Sequence, residues 1–287
     1  MKRTWRPVAA AIILITTIIA FVYYFRRHPD VGHQLHHTSP ALLIWLLILY
    51  AGTIGALAMT TLASLRVCKI KLDTSESLLL TAYTAVVNFF GPLQSGPAFR
   101  GVYLKAKHGL NLKDYTLVTI LYLIFWGIYS GLFLLSGSLG WWLVPLAIAV
   151  AVALYIEYHA PRFTKRFRHL DLRPVFYLAI AAFLQAAIVC VIYYSELKSV
   201  DPGIHFSQAI IYTGAANLAL FVSLTPAAIG FRESFLLFFR HLSHVSSNTI
   251  VTASILDRSV YVIFLLLLAV LIFGTHASRR LQTKKPI

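Results

Sequence analysis

Six runs of apolar residues, at about 8–25, 41–65, 115–135, 141–158, 174–196 and 249–273, are each long enough as helices to cross roughly 30 Å of hydrocarbon. That clustering constrains the chain more than any other feature. Inside a bilayer every backbone N–H and C=O has to be satisfied within its own segment, so runs of this length fold as helices. Water is the wrong solvent for them: 59% of the 287 residues are apolar and 12% are charged, about half the charged share of a soluble domain. The expected fold is an all-α integral membrane protein, one transmembrane domain over 1–287. The first run follows Lys2, Arg3 and Arg6 as a signal peptide would. It leads into Tyr23, Tyr24, Phe25, Arg26 and Arg27 rather than a small-residue cleavage site, so it reads as a retained span.

Two further apolar segments are interrupted by proline and glycine, at about 77–108 and 207–242. They resemble each other. Each has an Asn late in its apolar part (Asn88, Asn217), then Pro (Pro92, Pro226), three residues, and Gly (Gly96, Gly230). An Arg follows closely (Arg100, Arg232), then a short half-helix and a full span. The two copies form an internal repeat. Pro92 and Pro226 end the descending helices because proline lacks an N–H and clashes with the preceding turn. Gly96 and Gly230 allow a tight reversal. Each segment is therefore expected to be a re-entrant helical hairpin.

Three full spans separate the copies, so the two hairpins are expected to enter from opposite faces as an inverted repeat. Basic residues agree with this. With the N-terminus inside and each hairpin returning to its own side, 19 of the 25 Lys and Arg residues lie on the inner face. The other six are Arg26, Arg27, Lys198, Arg232, Arg240 and Arg258. That asymmetry follows the positive-inside rule and places both termini in the cytoplasm, the expected location being the cell membrane. The formal charge of +15 is therefore a topology signal, and nucleic acid is not an expected partner. The basic run 162–173 suits anionic headgroups at the inner leaflet. Cys68 and Cys190 form no metal or redox pattern, and His28, His33, His36 and His37 read as a solvated loop. No metal or cofactor is expected.

Irregular backbone at membrane depth is tolerated only where protein or a wet cavity covers it. Two opposed hairpins meeting near the midplane would enclose such a cavity, with half-helix N-termini offering unpaired N–H donors. Arg100 and Arg232 lie near those ends, and Arg holds a phosphate bidentately. This is the arrangement that inverted-repeat transporters use. Arg232 and Glu233 sit between apolar residues, where an ionisable side chain is a functional candidate by default. Asp257 and Arg258 interrupt the last span. Neighbours on a helix point about 100° apart and do not pair with each other. Asp257 is expected to meet Arg232 or Arg240, and Arg258 to meet Glu233, with Glu233 and Asp257 orienting the arginines or exchanging protons. Asn88 and Asn217 are expected to line the cavity, and with Gln185 to hydrogen-bond between helices.

The interrupted segments also carry a resemblance. Residues 88–100, NFFGPLQSGPAFR, resemble the N-x3-P-x3-G-E-x2-R segment of the lysylphosphatidylglycerol synthase/flippase transmembrane family. Residues 224–234, LTPAAIGFRES, are similar to its later L-x-P-x3-G-x-R-E-A segment, and Asp257 with Arg258 to its Arg-bearing last span. The chain departs at Pro97, where the family has an acidic residue, and in lacking a charge within 115–135. The resemblance implies a lipid-handling membrane protein like the stand-alone flippase-like members, without room for the fused synthase domain that other members carry.

The function expected is translocation of a polar (phospho)lipid between leaflets, with Arg100, Arg232 and Arg258 holding its phosphate. No Walker A pattern is present, so direct use of ATP is not expected. Expected partners are membrane lipids, either an anionic phospholipid or a lipid-linked substrate, with a second copy or a separate lipid-modifying enzyme also considered. The alternatives are a membrane-embedded lipid-modifying enzyme, with Glu233 and Asp257 as its only buried acids, and a non-transporting scaffold.

Overall fold

Arg26 and residues 38–90, 95–136, 172–222 and 231–282 are described by a computed structural model. The runs 8–25 and 141–158, the histidine loop, and Pro92, Pro226 and Gly230 lie outside them. Among the described residues the structure is all helical. In chain order the helices are α1 (Pro40–Val67), α2 (Thr74–Phe90), α3 (Ser95–His108), α4 (Leu112–Ser136), α5 (Leu172–Val200), α6 (Phe206–Val222), α7 (Phe231–Phe238), α8 (Arg240–Ser243) and α9 (Ser247–Gln282).

Four of these, α1, α4, α5 and α9, are long and apolar enough to cross a membrane. In their most apolar stretches only 33% of α1 and of α4, and 44% of α5 and of α9, is buried within the protein. The remaining apolar surface faces outward: Ile48 is 59% exposed, Leu117 58% and Val270 65%. A helix apolar on all sides, with most of that surface uncovered, belongs in lipid.

The other helices are short. At 1.5 Å per residue, the 17 residues of α2 and of α6 reach roughly 26 Å, less than the hydrocarbon thickness. Helix α3 has 14 residues and α7 has eight. Thus a long helix, a 17-residue helix, one or two shorter helices and a long helix occur in the order α1–α4 and again in α5–α9. The packing repeats as well. Helix α4 lies on α6 as α9 lies on α2, and α2 on α1 and α3 as α6 lies on α5 and α7. Helices α1 and α5, the first of each series, pack on each other more extensively than any other pair of described helices.

Local sequence sets the ends. Ser39 accepts from the Leu42 N–H at 3.3 Å and Pro40 opens α1, both start signals. At its other end Lys69 takes φ 58°; its N–H donates to Arg66 O and that of Ile70 to Leu65 O, the paired bonds of a Schellman cap. Small residues let the helices approach. Ala181, Ala182 and Ala186 of α5 are fully buried. At Gly214 of α6 a Cβ would stand 2.3 Å from Leu134 N and 2.6 Å from Ser130 O of α4. Backbone meets backbone there, which is how helices associate where no hydrophobic force separates lipid from side chain.

Candidate functional site

Helix α7 carries Arg232 and Glu233 side by side, and α9 answers with Asp257 and Arg258. The two strips pair in register. Arg232 Nη1 donates to Asp257 Oδ2 at 2.5 Å, and Arg258 Nη2 donates to Glu233 Oε1 at 2.5 Å. Both pairings are among those the sequence led us to expect; Arg240, the other candidate for Asp257, donates instead to Ser247 Oγ. The Arg232 and Asp257 side chains are 7% and 10% exposed, against 14% and 18% for Arg258 and Glu233. The first pair is thus the one that relies on its partner for charge compensation.

Arg232, Asp257 and Arg258 face a cavity of about 320 Å³ between the helices, which Glu233 does not line. Every described helix except α8 contributes to its wall, among them Tyr50, Asn88, Pro97, Arg100, Tyr122, Trp126, Gln185, Tyr193, Asn217, Arg232, Asp257, Arg258 and Tyr261. Tyr193 lies against the Arg232 guanidinium, whose Cζ is 5.1 Å from the ring centroid, a cation–π contact. Tyr122 donates to Gln185 Oε1 at 2.9 Å, joining α4 to α5.

Among the described residues, several buried donors around the cavity have no hydrogen-bond partner. They are Arg100 Nε, Arg232 Nε and Nη2, Arg258 Nε and Asn217 Nδ2, together with the acceptor Asn217 Oδ1. Buried polar groups are ordinarily satisfied within the protein, so this concentration of unsatisfied donors around one cavity marks it as a polar site. Arg100 stands apart from the other arginines. It is 8% exposed, and no carboxylate forms an ion pair with it among the described residues.

The first interrupted segment departs from the sequence expectation in two respects. Gly96 is not a left-handed turn residue but part of the first turn of α3. Its missing Cβ matters because one would stand 2.8 Å from Thr84 Cγ2 and 3.0 Å from Asn88 Cβ, so it allows α3 to lie against α2. Nor is the start of α3 a free set of donors. Asn88 Oδ1 accepts the Gly96 N–H at 3.2 Å, and Pro97 has none. Arg100, the sixth residue of α3, reaches the cavity by its side chain, more than a turn from the helix end. Asn88 therefore caps α3 as well as lining the cavity.

Glu196 also corrects the sequence reading, which counted Glu233 and Asp257 as the only buried acids. It is 1% exposed. Tyr50 stands between it and Asp257, its hydroxyl 3.5 Å from Glu196 Oε1 and 2.5 Å from Asp257 Oδ1. The signal was present, since Glu196 closes the apolar run 174–196 and an ionisable residue inside such a run is a candidate in itself. Nothing in the sequence marked Tyr50 or Tyr193.

A separate charged cluster ties the outer ends of α2 and α3 together. Glu76 Oε1 accepts from Lys107 Nζ at 2.7 Å and Tyr103 Oη at 2.8 Å, with His108 Nε2 at 2.9 Å. Burial alone would raise the Glu76 carboxyl, but hydrogen bonds from Lys107, His108 and Tyr103 outweigh it and bring it down to about 2.

The long lipid-facing helices, enclosing a cavity lined with arginine, carboxylate and amide groups, define a polytopic helical membrane protein with a polar interior site. A family model of the lysylphosphatidylglycerol synthase TM region matches residues 8–269, and the chain belongs to that family. No curated protein matches the chain.

Proposed function

We propose that this protein is a flippase-like transporter that moves a polar phospholipid headgroup between leaflets, and that the cavity holds its phosphate. In this reading six full spans and two re-entrant hairpins form an inverted repeat in the cell membrane, both termini cytoplasmic. The paired packing of α1–α4 and α5–α9 supports a repeat, and the short reach of α2 and α6 supports hairpins.

The observation that carries the function is Arg100. Inserting a cation at membrane depth costs about 2.5–3.5 kcal/mol, and among the described residues no carboxylate pairs with this one. Across the cavity Arg232, Arg258 and Asn217 hold unused donors. A phosphodiester supplies both the charge and the acceptor oxygens that this set lacks, and arginine is suited to it. Membership in a lipid-associated membrane family agrees with a lipid as its source.

The alternative is a lipid-modifying enzyme. General acid–base chemistry needs its groups within reach of the substrate. Of Glu196, Glu233 and Asp257, only Asp257 lines the cavity, which supports transport over catalysis.

The test is reconstitution in liposomes with headgroup-labelled phospholipids, comparing the wild type with Arg100→Gln. Loss of Arg100 breaks no ion pair among the described residues, so the variant should fold as the wild type does while losing translocation. Equal translocation by both, or none by the wild type, would overturn the proposal.

A further inference from the structure

Glu196 is the most deeply buried acid near the cavity, yet it does not line it. The titratable and charged groups facing it come from four other helices and its own. They are Tyr50 from α1, Tyr212 from α6, Arg232 from α7, Asp257 from α9, and Tyr193 from α5. With Glu196 itself the cluster holds two carboxylates and one cation, and Arg232 is committed to Asp257. No cation pairs with Glu196 among the described residues. An uncompensated buried carboxylate costs several kcal/mol, more than taking up a proton does.

We propose that Glu196 is a proton-binding site coupled through Tyr50 to the Arg232–Asp257 pair, so that the transporter carries a proton with its anionic headgroup. The inference rests on the transport reading above. The tyrosine hydroxyl has a single proton, and its short contact assigns that proton to Asp257 Oδ1. Its oxygen then faces Glu196 Oε1 as an acceptor, so Glu196 is the group that supplies the next proton.

When a phosphate takes the Arg232 guanidinium, Asp257 loses its counter-charge. The Tyr50 O–H bond breaks as an O–H bond forms on Asp257. The Glu196 O–H bond breaks in turn as Tyr50 regains its proton. One proton moves, no electrons are exchanged, and the negative charge passes from Asp257 to Glu196, away from the incoming anion. On release of the headgroup the Asp257 O–H bond breaks and its proton leaves to water on the side the headgroup exits. Asp257 returns to Arg232 as a carboxylate. Glu196 takes up one proton from water on the side of entry, so each cycle carries one proton across with the headgroup. The 3.5 Å gap between Tyr50 and Glu196 is longer than a strong O–H···O bond, so the relay is open until the cavity is occupied.

Two measurements test this. The first is infrared spectroscopy of the lipid-reconstituted protein at neutral pH. A protonated-carboxyl C=O band is expected in the wild type and its loss in Glu196→Gln; a wild type without that band overturns the inference. The second uses phosphatidylcholine vesicles containing labelled phosphatidylglycerol, with a pH-sensitive dye in the lumen. Headgroup translocation should be accompanied by lumenal pH change and should depend on pH. Glu196→Gln should abolish both the proton movement and the pH dependence, and Tyr50→Phe should abolish the proton movement with both carboxylates still in place. Lipid movement without proton movement in the wild type overturns this inference and leaves the transport reading intact. No lipid movement in the wild type overturns both.

Discussion

Replacing Asp257 with Asn keeps the shape of the side chain and removes only its charge. Arg232 and Asp257 are 7% and 10% exposed at the side chain, and breaking a pair this buried by removing one partner costs about 3–5 kcal/mol. Asn retains one carbonyl acceptor for Arg232 or Tyr50, which places the expected loss near the lower bound, about 3 kcal/mol. That corresponds to a roughly 150-fold fall in the folded-to-unfolded ratio. Glu233→Gln breaks the neighbouring pair, whose side chains are 14% and 18% exposed; solvent or cavity water can take up part of that charge, so about 1–2 kcal/mol is expected. The double replacement Arg232→Met with Asp257→Leu removes both charges and should recover most of what Asp257→Asn loses, since apolar residues of similar volume replace buried pairs at little cost. Reversible unfolding in mixed micelles, followed as folded fraction against denaturing detergent, measures all three. Two results would refute the reasoning: an Asp257→Asn cost below about 1 kcal/mol, or a double variant whose loss equals the sum of its single replacements, meaning no coupling.

Gly214→Ala places a methyl 2.3 Å from the α4 backbone and should destabilise by about 1–3 kcal/mol. Gly55→Ala and Gly131→Ala meet nothing within 4 Å and should change stability by about 0.5 kcal/mol or less in the same unfolding assay. Glu76 titrates at about 2 rather than its ordinary 4.5. A depressed carboxylate contributes stability that is full above its unfolded value and is lost as pH falls toward about 2. Glu76→Gln should flatten that acid limb of thermal stability, and carboxyl-selective NMR should show the low midpoint directly. A reporter fused to the C-terminus should read as cytoplasmic; an extracytoplasmic reading would sink the inverted arrangement of the hairpins.

The apolar runs were sufficient to read an all-helical membrane protein, because hydrocarbon leaves a spanning backbone no alternative to internal hydrogen bonding. The adjacent charges were legible too. Arg232 with Glu233, and Asp257 with Arg258, form complementary strips 25 residues apart, and isolated charges in apolar sequence need partners wherever the chain places them. Gly96 is a different case, because its spacing from Pro92 does not say what the position uses. Spacing shows that a residue lacks a side chain, whereas only the packing of α3 on α2 shows that the missing Cβ, and not a left-handed turn, is what the position uses.

What lies furthest from the sequence is the composition of the cavity. Tyr50 and Asp257 are 207 residues apart in the chain, and Tyr50 and Glu196 are 146 apart. Periodicity and motif spacing report on neighbours within one or two turns, so they carry no information about such pairs. The same limit hid the difference between the arginines. In sequence Arg100 and Arg232 look alike, each following a proline and a glycine within a few residues. In the folded protein Arg232 has a carboxylate at 2.5 Å and Arg100 has none among the described residues, because which side chains converge is set by helices brought together across the whole chain.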